Sequence, residues 1–219
     1  MINKQLTEIY QLLFDHFGCQ HWWPGETQFE IIIGAILTQN TNWANVEKAI
    51  ANLQSAQLLA PEKLHRLDIL QLAGLIRPAG YYNIKANRLK SFVKWLFESY
   101  DGQLINLENV DTERLRAELL AIKGIGPETA DSILLYALGR AVFVVDAYTA
   151  RVAVRHGLIE PEADYEQLRD LFQSNLTPDT NLFNEYHALL VKVGKEFCRP
   201  AARCSGCPLE KLPHSLDIQ

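Results

Sequence analysis

Apolar residues recur at intervals of three and four along most of this chain, which is the period of an amphipathic α-helix. Near the start, Leu6, Ile9, Leu13 and Phe17 follow this spacing up to Gly18, a residue that commonly ends helices. Similar patterns predict helices over residues 43–53, 69–76, 89–100, 111–119, 127–137, 147–156, 164–174 and 183–196. A chain built mainly of such segments is expected to fold as packed helices.

Two apolar runs would suit a buried strand equally well by propensity. Phe29–Leu37 contains three consecutive isoleucines, and residues 142–146 read VFVVD. No other segment shows the alternating pattern of a partner strand. We therefore predict a buried helix for the first run and an extended connection for the second, within an all-α fold.

Charge and hydropathy limit the classes of partner. The 219 residues are 48% hydrophobic and 21% charged, and no apolar run approaches the roughly 20 residues that cross a bilayer. The N-terminal stretch contains acidic residues, unlike a cleaved signal, so we expect a cytoplasmic protein with no membrane partner. The net charge of -5 argues against a nucleic-acid partner, although residues 83–97 carry Lys85, Arg88, Lys90 and Lys94 without one acid.

Residues 119–130 read LLAIKGIGPETA and predict two helices joined by a tight turn. Gly124 and Gly126 permit positive φ angles and a close approach of the backbone to a ligand. Backbone N–H groups of the helix that begins near Pro127 could then hold a phosphate. A plain corner between two helices is the alternative for an isolated turn of this kind.

An aspartate follows this turn at the end of an extended apolar segment. Asp146 lies 20 residues after Gly126, in the sequence VVDAYTAR. Its simplest role is to cap the next helix. A carboxylate at a helix N-terminus also tends to stay ionised, which suits an anion that faces a developing oxocarbenium ion. The two roles are compatible.

Together, the hairpin and the Asp146 segment resemble the helix-hairpin-helix DNA glycosylases of the endonuclease III superfamily. The resemblance implies a helix-hairpin-helix DNA glycosylase fold, in which two helical lobes flank a DNA-binding cleft. One lobe would comprise residues 19–135, and the other residues 1–18 with 136–219. Double-stranded DNA with damaged bases would be the partner, and Asp146 would be catalytic. Nothing in the sequence indicates an oligomer, so we expect a nucleoid-associated monomer.

The same resemblance assigns residues to DNA contact. The run ILTQNT resembles the family's early helix, which ends in a glutamine that enters the DNA near the extruded base, and Gln39 takes this position. The hairpin residues assigned to the DNA are Lys123, Gly124, Ile125, Gly126 and Thr129. For Gln39, the alternative is a polar residue that merely ends a helix.

One hairpin position bears on the type of chemistry. Family members that also cleave the strand carry a lysine two residues beyond the second glycine, and its amine forms a Schiff base with the sugar. Here that position holds Glu128, while Lys123 precedes the first glycine. A carboxylate cannot form an imine, so we predict a monofunctional enzyme that uses water. Glu128 could act electrostatically in the catalytic cleft or simply favour the helix dipole.

Three of the four tryptophans lie in the first 43 residues, as Trp22-Trp23-Pro24 and Trp43. With the segments RPAGYYNIKANRL and GIGPETAD, they resemble the 3-methyladenine DNA glycosylase III subgroup, in which aromatic residues from these places sandwich the damaged base. Electron-rich indoles suit a cationic alkylated base through stacking and cation–π attraction. We therefore predict a base pocket lined by Trp22, Trp23, Pro24 and Trp43. Packing in the core is the alternative for each tryptophan.

Cys198, Cys204 and Cys207 form a C-terminal cluster, whereas Cys19 lies far away and is expected to be a small buried residue. Many relatives of endonuclease III end in four cysteines, spaced C-x6-C-x2-C-x5-C, that bind a [4Fe–4S] cluster. Here the first two intervals are x5 and x2, the fourth cysteine is missing, and His214 is a candidate replacement. Residual cluster binding and a decayed site with three thiols are both open.

These assignments favour a monofunctional DNA glycosylase of base excision repair, which flips out alkylated bases such as 3-methyladenine and hydrolyses their N-glycosidic bonds. One alternative is an endonuclease III-like glycosylase for oxidised or mismatched bases, with or without AP-lyase activity. Another is a DNA-structure-binding protein that has kept the hairpin but performs no catalysis. Asp146 and the aromatic residues together argue for an enzyme.

Overall fold

The computed structural model describes residues 2–216, and these residues form helices and connecting segments without any strand. The helices are α1 (Ile2–Phe17), α2 (Gln28–Leu37), α3 (Trp43–Ser55), α4 (Pro61–Arg66), α5 (Ile69–Leu75), α6 (Tyr82–Tyr100), α7 (Thr112–Ala121), α8 (Pro127–Ser132), α9 (Ala147–Arg155), α10 (Tyr165–Gln173) and α11 (Thr180–Glu196). Short 3-10 turns span Arg77–Ala79 and Leu104–Leu107, and the π-helical turn Ile133–Ala137 continues α8. The predicted all-α class is confirmed.

Most helices begin at a side chain that accepts a hydrogen bond from the first turn. Asp111 accepts from the backbone N–H of Arg114 at 3.0 Å, which confirms the predicted cap of α7. Asp164 and Gln167 form a reciprocal capping box at the start of α10. The other side-chain caps are Thr27, Asn42, Asp68, Asp146 and Asp179. Because these bonds are local, the sequence alone indicates where the helices begin.

Both ambiguous apolar runs have the predicted structure. The run Phe29–Leu37 lies in α2, where most of its residues are buried. Residues 142–145 are extended and also buried, but they pair with no strand in the described chain. A helix satisfies its own backbone N–H and C=O groups, so a long apolar run without strand partners is more stable as a helix. The six-residue α4 was not predicted, because it is too short to show a helical period.

Helix lengths also bear on membrane insertion. The most apolar run, α2, spans only 10 residues, about half of what a bilayer requires. Among residues 2–216, no helix combines the length and the apolar character needed to span a membrane.

The chain divides into two compact units. The central unit is Pro24–Arg140, and the terminal unit combines the described parts of Met1–Trp23 and Ala141–Gln219. In the central unit, α2 packs against α3, α6 and α8 and against the turn Ile133–Ala137. In the terminal unit, α1 and α9 both pack against α11. The ring of Phe143 in the extended connection stacks on Phe172, with centroids 4.3 Å apart, and meets Phe183 and Tyr186 edge-on.

This division differs from the expected one at two short segments, and contacts within each unit explain why. The Cys19 thiol and the Gln20 backbone N–H both donate to Glu185 on α11, so residues 19–23 belong to the terminal unit. The Arg140 guanidinium donates to the backbone carbonyls of Leu107 and Val110, so residues 136–140 belong to the central unit. Cys19 is exposed rather than buried as expected, since its thiol bonds to a surface carboxylate.

Candidate functional site

The predicted hairpin is present in the central unit, between α7 and α8. Ile122 and Ile125 are buried and anchor the turn, whereas Lys123, Gly124 and Gly126 are exposed. Gly124 has a φ of +93°, and a Cβ atom there would lie 2.5 Å from the Cγ of Arg88. The turn therefore requires glycine at this position for two independent reasons. A Cβ at Gly126 would meet no atom within 4 Å, so the backbone there faces open space.

The side chain of Gln39 forms hydrogen bonds with this hairpin. Its Nε2 donates to the hydroxyl of Thr129 at 2.9 Å and to the backbone carbonyl of Gly124 at 3.3 Å. Its Oε1 accepts a hydrogen bond from the guanidinium of Arg88. The structure thus brings together Gln39, Gly124 and Thr129, three residues that the sequence assigned to DNA contact. Arg88 joins them from α6.

A buried ion pair ties the two helices of the hairpin to each other. Nε of Arg116 on α7 donates to Oδ1 of Asp131 on α8 at 2.6 Å, and Nη2 donates to Oδ2 at 3.1 Å. The Asp131 side chain is 0% exposed and that of Arg116 is 9% exposed. Such a bidentate bond restricts the relative orientation of the two groups that it joins. The shape of the hairpin is therefore set outside the turn as well as within it.

Two of the basic residues in the segment 83–97 do not face solvent. Lys85 is 1% exposed, and its Nζ donates to the backbone carbonyls of Leu37 and Ala79, each at 2.8 Å. Burial, and secondarily the charge of Arg88, lowers the pKa of Lys85 to about 8. Lys90 donates to three backbone carbonyls at the end of α4. The other two cations of the segment also have partners within the protein, since Arg88 donates to Gln39 and Nζ of Lys94 lies 3.7 Å from a carboxylate oxygen of Glu98.

In the terminal unit, Asp146 caps α9 and keeps one carboxylate oxygen for a second contact. Oδ1 accepts hydrogen bonds from the backbone N–H of Thr149 at 2.8 Å and from its hydroxyl at 3.0 Å. Oδ2 lies 3.7 Å from Nε2 of His187 on α11. The capping alternative raised by the sequence is thus confirmed, and it leaves the outer oxygen free of the cap.

The surroundings of Asp146 favour its ionised form. Burial on its own raises the pKa of this carboxyl group. The interaction with His187, together with the two bonds from Thr149, outweighs burial and holds the pKa of Asp146 below its ordinary value. A largely buried carboxylate that remains negative at neutral pH can stabilise a positive charge that develops beside it.

Trp22 lies in the same unit and reaches Asp146 through His187. The rings of Trp22 and His187 meet edge-on, with centroids 6.3 Å apart, and the ring of Trp23 packs edge-on against Trp22 at 5.9 Å. Nζ of Lys195 lies 5.9 Å from the centroid of Trp22. The indole N–H of Trp22 is buried and has no hydrogen-bond partner among residues 2–216. A buried donor without a partner favours a bound group that can accept its hydrogen.

The remaining predicted site residues lie in the central unit. Trp43 is half-buried at the first turn of α3, where its indole N–H donates to Glu47 at 2.7 Å. Pro24 is exposed at the start of the unit. Glu128 is exposed in the first turn of α8. The roles of these residues stay predictions.

Sequence reasoning missed one residue beside the predicted site and underrated another. His187 is a buried histidine in the largely apolar stretch HALLV of α11, and a buried imidazole in such a stretch signals a polar partner. Its distance of 41 residues from Asp146 hid that partner. Arg88 was noted only as one of several cations, whereas the structure places it on Gln39.

The three C-terminal cysteines line one pocket of the terminal unit together with Arg155, His156 and His214. The Cys198 sulfur accepts a hydrogen bond from Arg155, which also donates to the carbonyls of Arg199 and Pro200. The pocket offers three thiols, whereas a [4Fe–4S] cluster is commonly held by four cysteines. Within residues 2–216, no three or more His, Cys, Asp or Glu side chains are arranged to hold a metal ion. The residues present therefore do not supply a clear ligand set for a cluster.

Comparisons with known proteins agree with the all-helical fold. Residues 33–178 match the HhH-GPD superfamily of base excision DNA repair proteins. The chain is 49% identical over 210 residues to "Putative DNA repair glycosylase MJ1434" of Methanocaldococcus jannaschii, which covers 95% of this chain and 96% of that protein. It is 30% identical to an endonuclease III of Sulfolobus acidocaldarius over 172 residues, which cover 78% and 74% of the two chains.

A solved structure adds a match in three dimensions. The crystal structure of H. pylori 3-methyladenine DNA glycosylase bound to 1,N6-ethenoadenine has a TM-score of 0.75 and 29% sequence identity. The match covers 89% of this chain and 97% of that one. The family match, the relative of similar length and the shared fold lead to one conclusion. This chain belongs to the HhH-GPD superfamily of base excision DNA repair proteins, in the endonuclease III superfamily of DNA glycosylases.

Proposed function

We propose that this protein is a monofunctional DNA glycosylase that removes alkylated bases, such as 3-methyladenine, from double-stranded DNA. The observation that carries the proposal is the group formed by Asp146, His187 and Trp22 in the terminal unit. In this group, an ionised carboxylate and an electron-rich ring both lie against the same histidine. Such a pair suits a reaction in which positive charge develops on a sugar while a flat base departs.

The proposed reaction needs only water as a second substrate. The bond between C1′ of the sugar and the base nitrogen breaks, and the base leaves with the electron pair. Asp146 stabilises the positive charge that remains at C1′, and it orients the water that attacks there. The water oxygen bonds to C1′, and its proton passes to Asp146 or to solvent. An alkylated base that carries a positive charge departs as a neutral molecule, so it needs little help from a general acid.

Recognition of the base is assigned to Trp22, with Trp23 packed behind it. The face of an indole attracts a flat, electron-poor base by stacking. The indole N–H of Trp22 points along the ring plane, so it can serve a group bound at the edge of the ring rather than the stacked base itself. The ammonium of Lys195 beside the same ring opposes a second cation, so neutral alkylated bases belong in the substrate panel with cationic ones. The H. pylori relative was solved with 1,N6-ethenoadenine bound.

Binding of the DNA backbone is assigned to the exposed turn of the hairpin, where Lys123, Gly124 and Gly126 face solvent. Open backbone at Gly126 allows a phosphate to approach closely. Gln39 is assigned to the DNA near the extruded base, and its position beside Gly124 and Thr129 is consistent with that role. The predicted roles of Trp43 and Pro24 in the base pocket rest on the resemblance alone.

The absence of strand cleavage is proposed from Glu128. This exposed carboxylate occupies the position where bifunctional relatives carry the attacking lysine, and a carboxylate cannot form a Schiff base. Borohydride trapping tests this directly, because reduction links a Schiff-base enzyme covalently to DNA. We expect no trapped complex with the wild type. A trapped complex would contradict the proposal and favour a bifunctional glycosylase and AP lyase.

The central experiment is single-turnover release of free base from duplexes that contain 3-methyladenine or 1,N6-ethenoadenine. Strand breaks are scored separately with and without alkali. We expect base release that leaves an intact, alkali-labile strand, and we expect Asp146→Asn to bind the same duplex but release the base at least 100-fold more slowly, since a lost electrostatic stabiliser typically costs about that much. Equal rates for wild type and Asp146→Asn would exclude the proposed mechanism.

Two other results would redirect the assignment. Release of oxidised bases alone would favour the endonuclease III-like alternative, in line with the Sulfolobus acidocaldarius relative. Tight binding to damaged duplex with no base release from any lesion would indicate a DNA-structure-binding protein.

The cysteine pocket is tested apart from catalysis. Iron content and visible absorbance of anaerobically purified protein are compared between the wild type and Cys204→Ser. Four irons per chain that are lost in the variant would assign a cluster to Cys198, Cys204 and Cys207, with His214 as the candidate fourth ligand. Iron-free protein that still releases base would assign the pocket a structural role.

A further inference from the structure

His187 contacts both halves of the proposed site within the terminal unit. It lies on α11, is 4% exposed, and places its Nε2 3.7 Å from Oδ2 of Asp146. Its ring meets the ring of Trp22 edge-on at 6.3 Å. Helices α9 and α11 pack against each other, which restrains the backbones that carry Asp146 and His187. One buried side chain therefore bridges the carboxylate and the ring.

The two carboxylate oxygens of Asp146 have different partners. Oδ1 is engaged twice by Thr149 and cannot turn without breaking the cap of α9. Oδ2 faces His187 and lies outside the cap. A carboxylate whose second oxygen lacks a donor rotates more freely and costs more to bury. Nε2 of the imidazole lies within ion-pair range of Oδ2, at 3.7 Å, and the ring also limits where the Trp22 indole can sit.

On the basis of the proposed glycosylase function, we propose that His187 is a positioning residue of this enzyme. It holds Oδ2 of Asp146 toward the reacting sugar and sets the Trp22 ring at a fixed distance from that carboxylate. It need not touch the substrate to do so. The other charged and titratable groups near this set are Lys195 on α11 and Tyr148 and Arg151 on α9, all grouped around the Trp22 and Tyr148 rings.

The test compares two substitutions at His187 with a matched control. His187→Gln keeps an N–H donor at about the reach of Nε2, whereas His187→Leu keeps an apolar side chain and removes the donor. His156→Gln changes another partly buried histidine in the same unit, one whose Nδ1 contacts the backbone carbonyl of Pro213 rather than Asp146. Urea unfolding of each variant separates loss of the fold from loss of position.

The kinetic readout is the single-turnover rate of base release together with the Kd for damaged duplex. We expect His187→Leu to lower the rate by about 10- to 100-fold with little change in Kd, because misplacement of a reacting group by about 1 Å can cost this much. His187→Gln should recover most of the rate, and His156→Gln should match the wild type. Equal losses for His187→Gln and His187→Leu would overturn the positioning role, as would a loss confined to Kd.

A second readout does not depend on activity. The carboxyl carbon of Asp146, labelled with carbon-13, is titrated by NMR in the wild type and in the three variants. We expect the pKa of Asp146 to lie below its ordinary value in the wild type and to rise in His187→Leu, with His187→Gln between them. An unchanged titration in His187→Leu would refute the proposal. If the wild type releases no base but the titration shifts as expected, the proposed function fails while the pairing stands.

Discussion

The buried pair of Arg116 and Asp131 allows a quantitative test of what holds the hairpin together. Asp131→Leu would remove the carboxylate that accepts two hydrogen bonds from the buried guanidinium of Arg116 on α7. Both side chains are almost fully excluded from solvent, and the two bonds measure 2.6 and 3.1 Å. Removal of one partner from such a pair typically destabilises the fold by about 3 to 5 kcal/mol, because an uncompensated charge stays buried.

The matching double variant, Arg116→Met with Asp131→Leu, should behave differently. A buried ion pair gains its Coulomb energy at the expense of hydration, so replacing both partners with apolar side chains is often neutral or slightly stabilising. We therefore expect the double variant to lie within about 1 kcal/mol of the wild type in free energy of unfolding. The difference from the summed single variants is the coupling energy of the pair.

Urea unfolding followed by far-UV circular dichroism measures these values. For an m-value of about 3 kcal/mol/M, the midpoint of Asp131→Leu should fall by about 1 to 1.7 M. Binding to an undamaged duplex is measured in parallel, and we expect it to weaken in the single variant because the two hairpin helices are no longer tied together. A loss below about 1 kcal/mol in Asp131→Leu would refute the reasoning, and so would a double variant as unstable as either single one.

Three further predictions concern groups whose partners are known from the structure. The pKa of Lys85 is lowered to about 8 in the folded state, so the unfolded state binds more protons between about pH 8 and 10.5. The free energy of unfolding of the wild type, measured relative to that of Lys85→Met, should therefore rise by about 2 to 3 kcal/mol from pH 7 to 10. A difference between the two proteins that does not change with pH would contradict this assignment. Arg155→Met should lower the free energy of unfolding by about 2 to 4 kcal/mol and speed alkylation of Cys198, since it removes the donors that bond to Cys198, Arg199 and Pro200. Equal alkylation rates in the wild type and the variant would count against this role. Asp164→Ala should cost about 1 kcal/mol through loss of the α10 cap, measured by the same urea titration with Glu162→Ala as an exposed control.

Much of the fold was available from the sequence because helices are specified locally. The apolar period, the Asp and Asn caps and the glycines that end helices all act over a few residues, and the structure has helices where these signals fall. The tight turn at Gly124 and the cap at Asp146 were likewise readable, since each depends on its own neighbours. Short elements such as α4 were missed because six residues do not establish a period.

Only some residues of the candidate site could be predicted from the sequence. Sequence pattern identified Asp146 and Trp22 as candidates, but their bridge, His187, comes from a helix 41 residues further on. Gln39 was assigned to DNA, yet its bonds to Thr129 and Arg88 join the turn after α2 to α8 and α6. Periodicity shows which face of a helix is buried and not which helix covers it, so contacts of this kind cannot be read from spacing.

The sequence by itself therefore determined the helical class, the positions of the turns and the identity of the candidate acid. Only the tertiary structure decided which cations bond inside the protein, as Lys85 does, and which polar side chains pair with each other, as Arg116 and Asp131 do. The physical reason is the range of the interactions involved. Backbone conformation and capping depend on residues within about one helical turn, whereas burial and charge pairing depend on whichever helices the whole chain packs together.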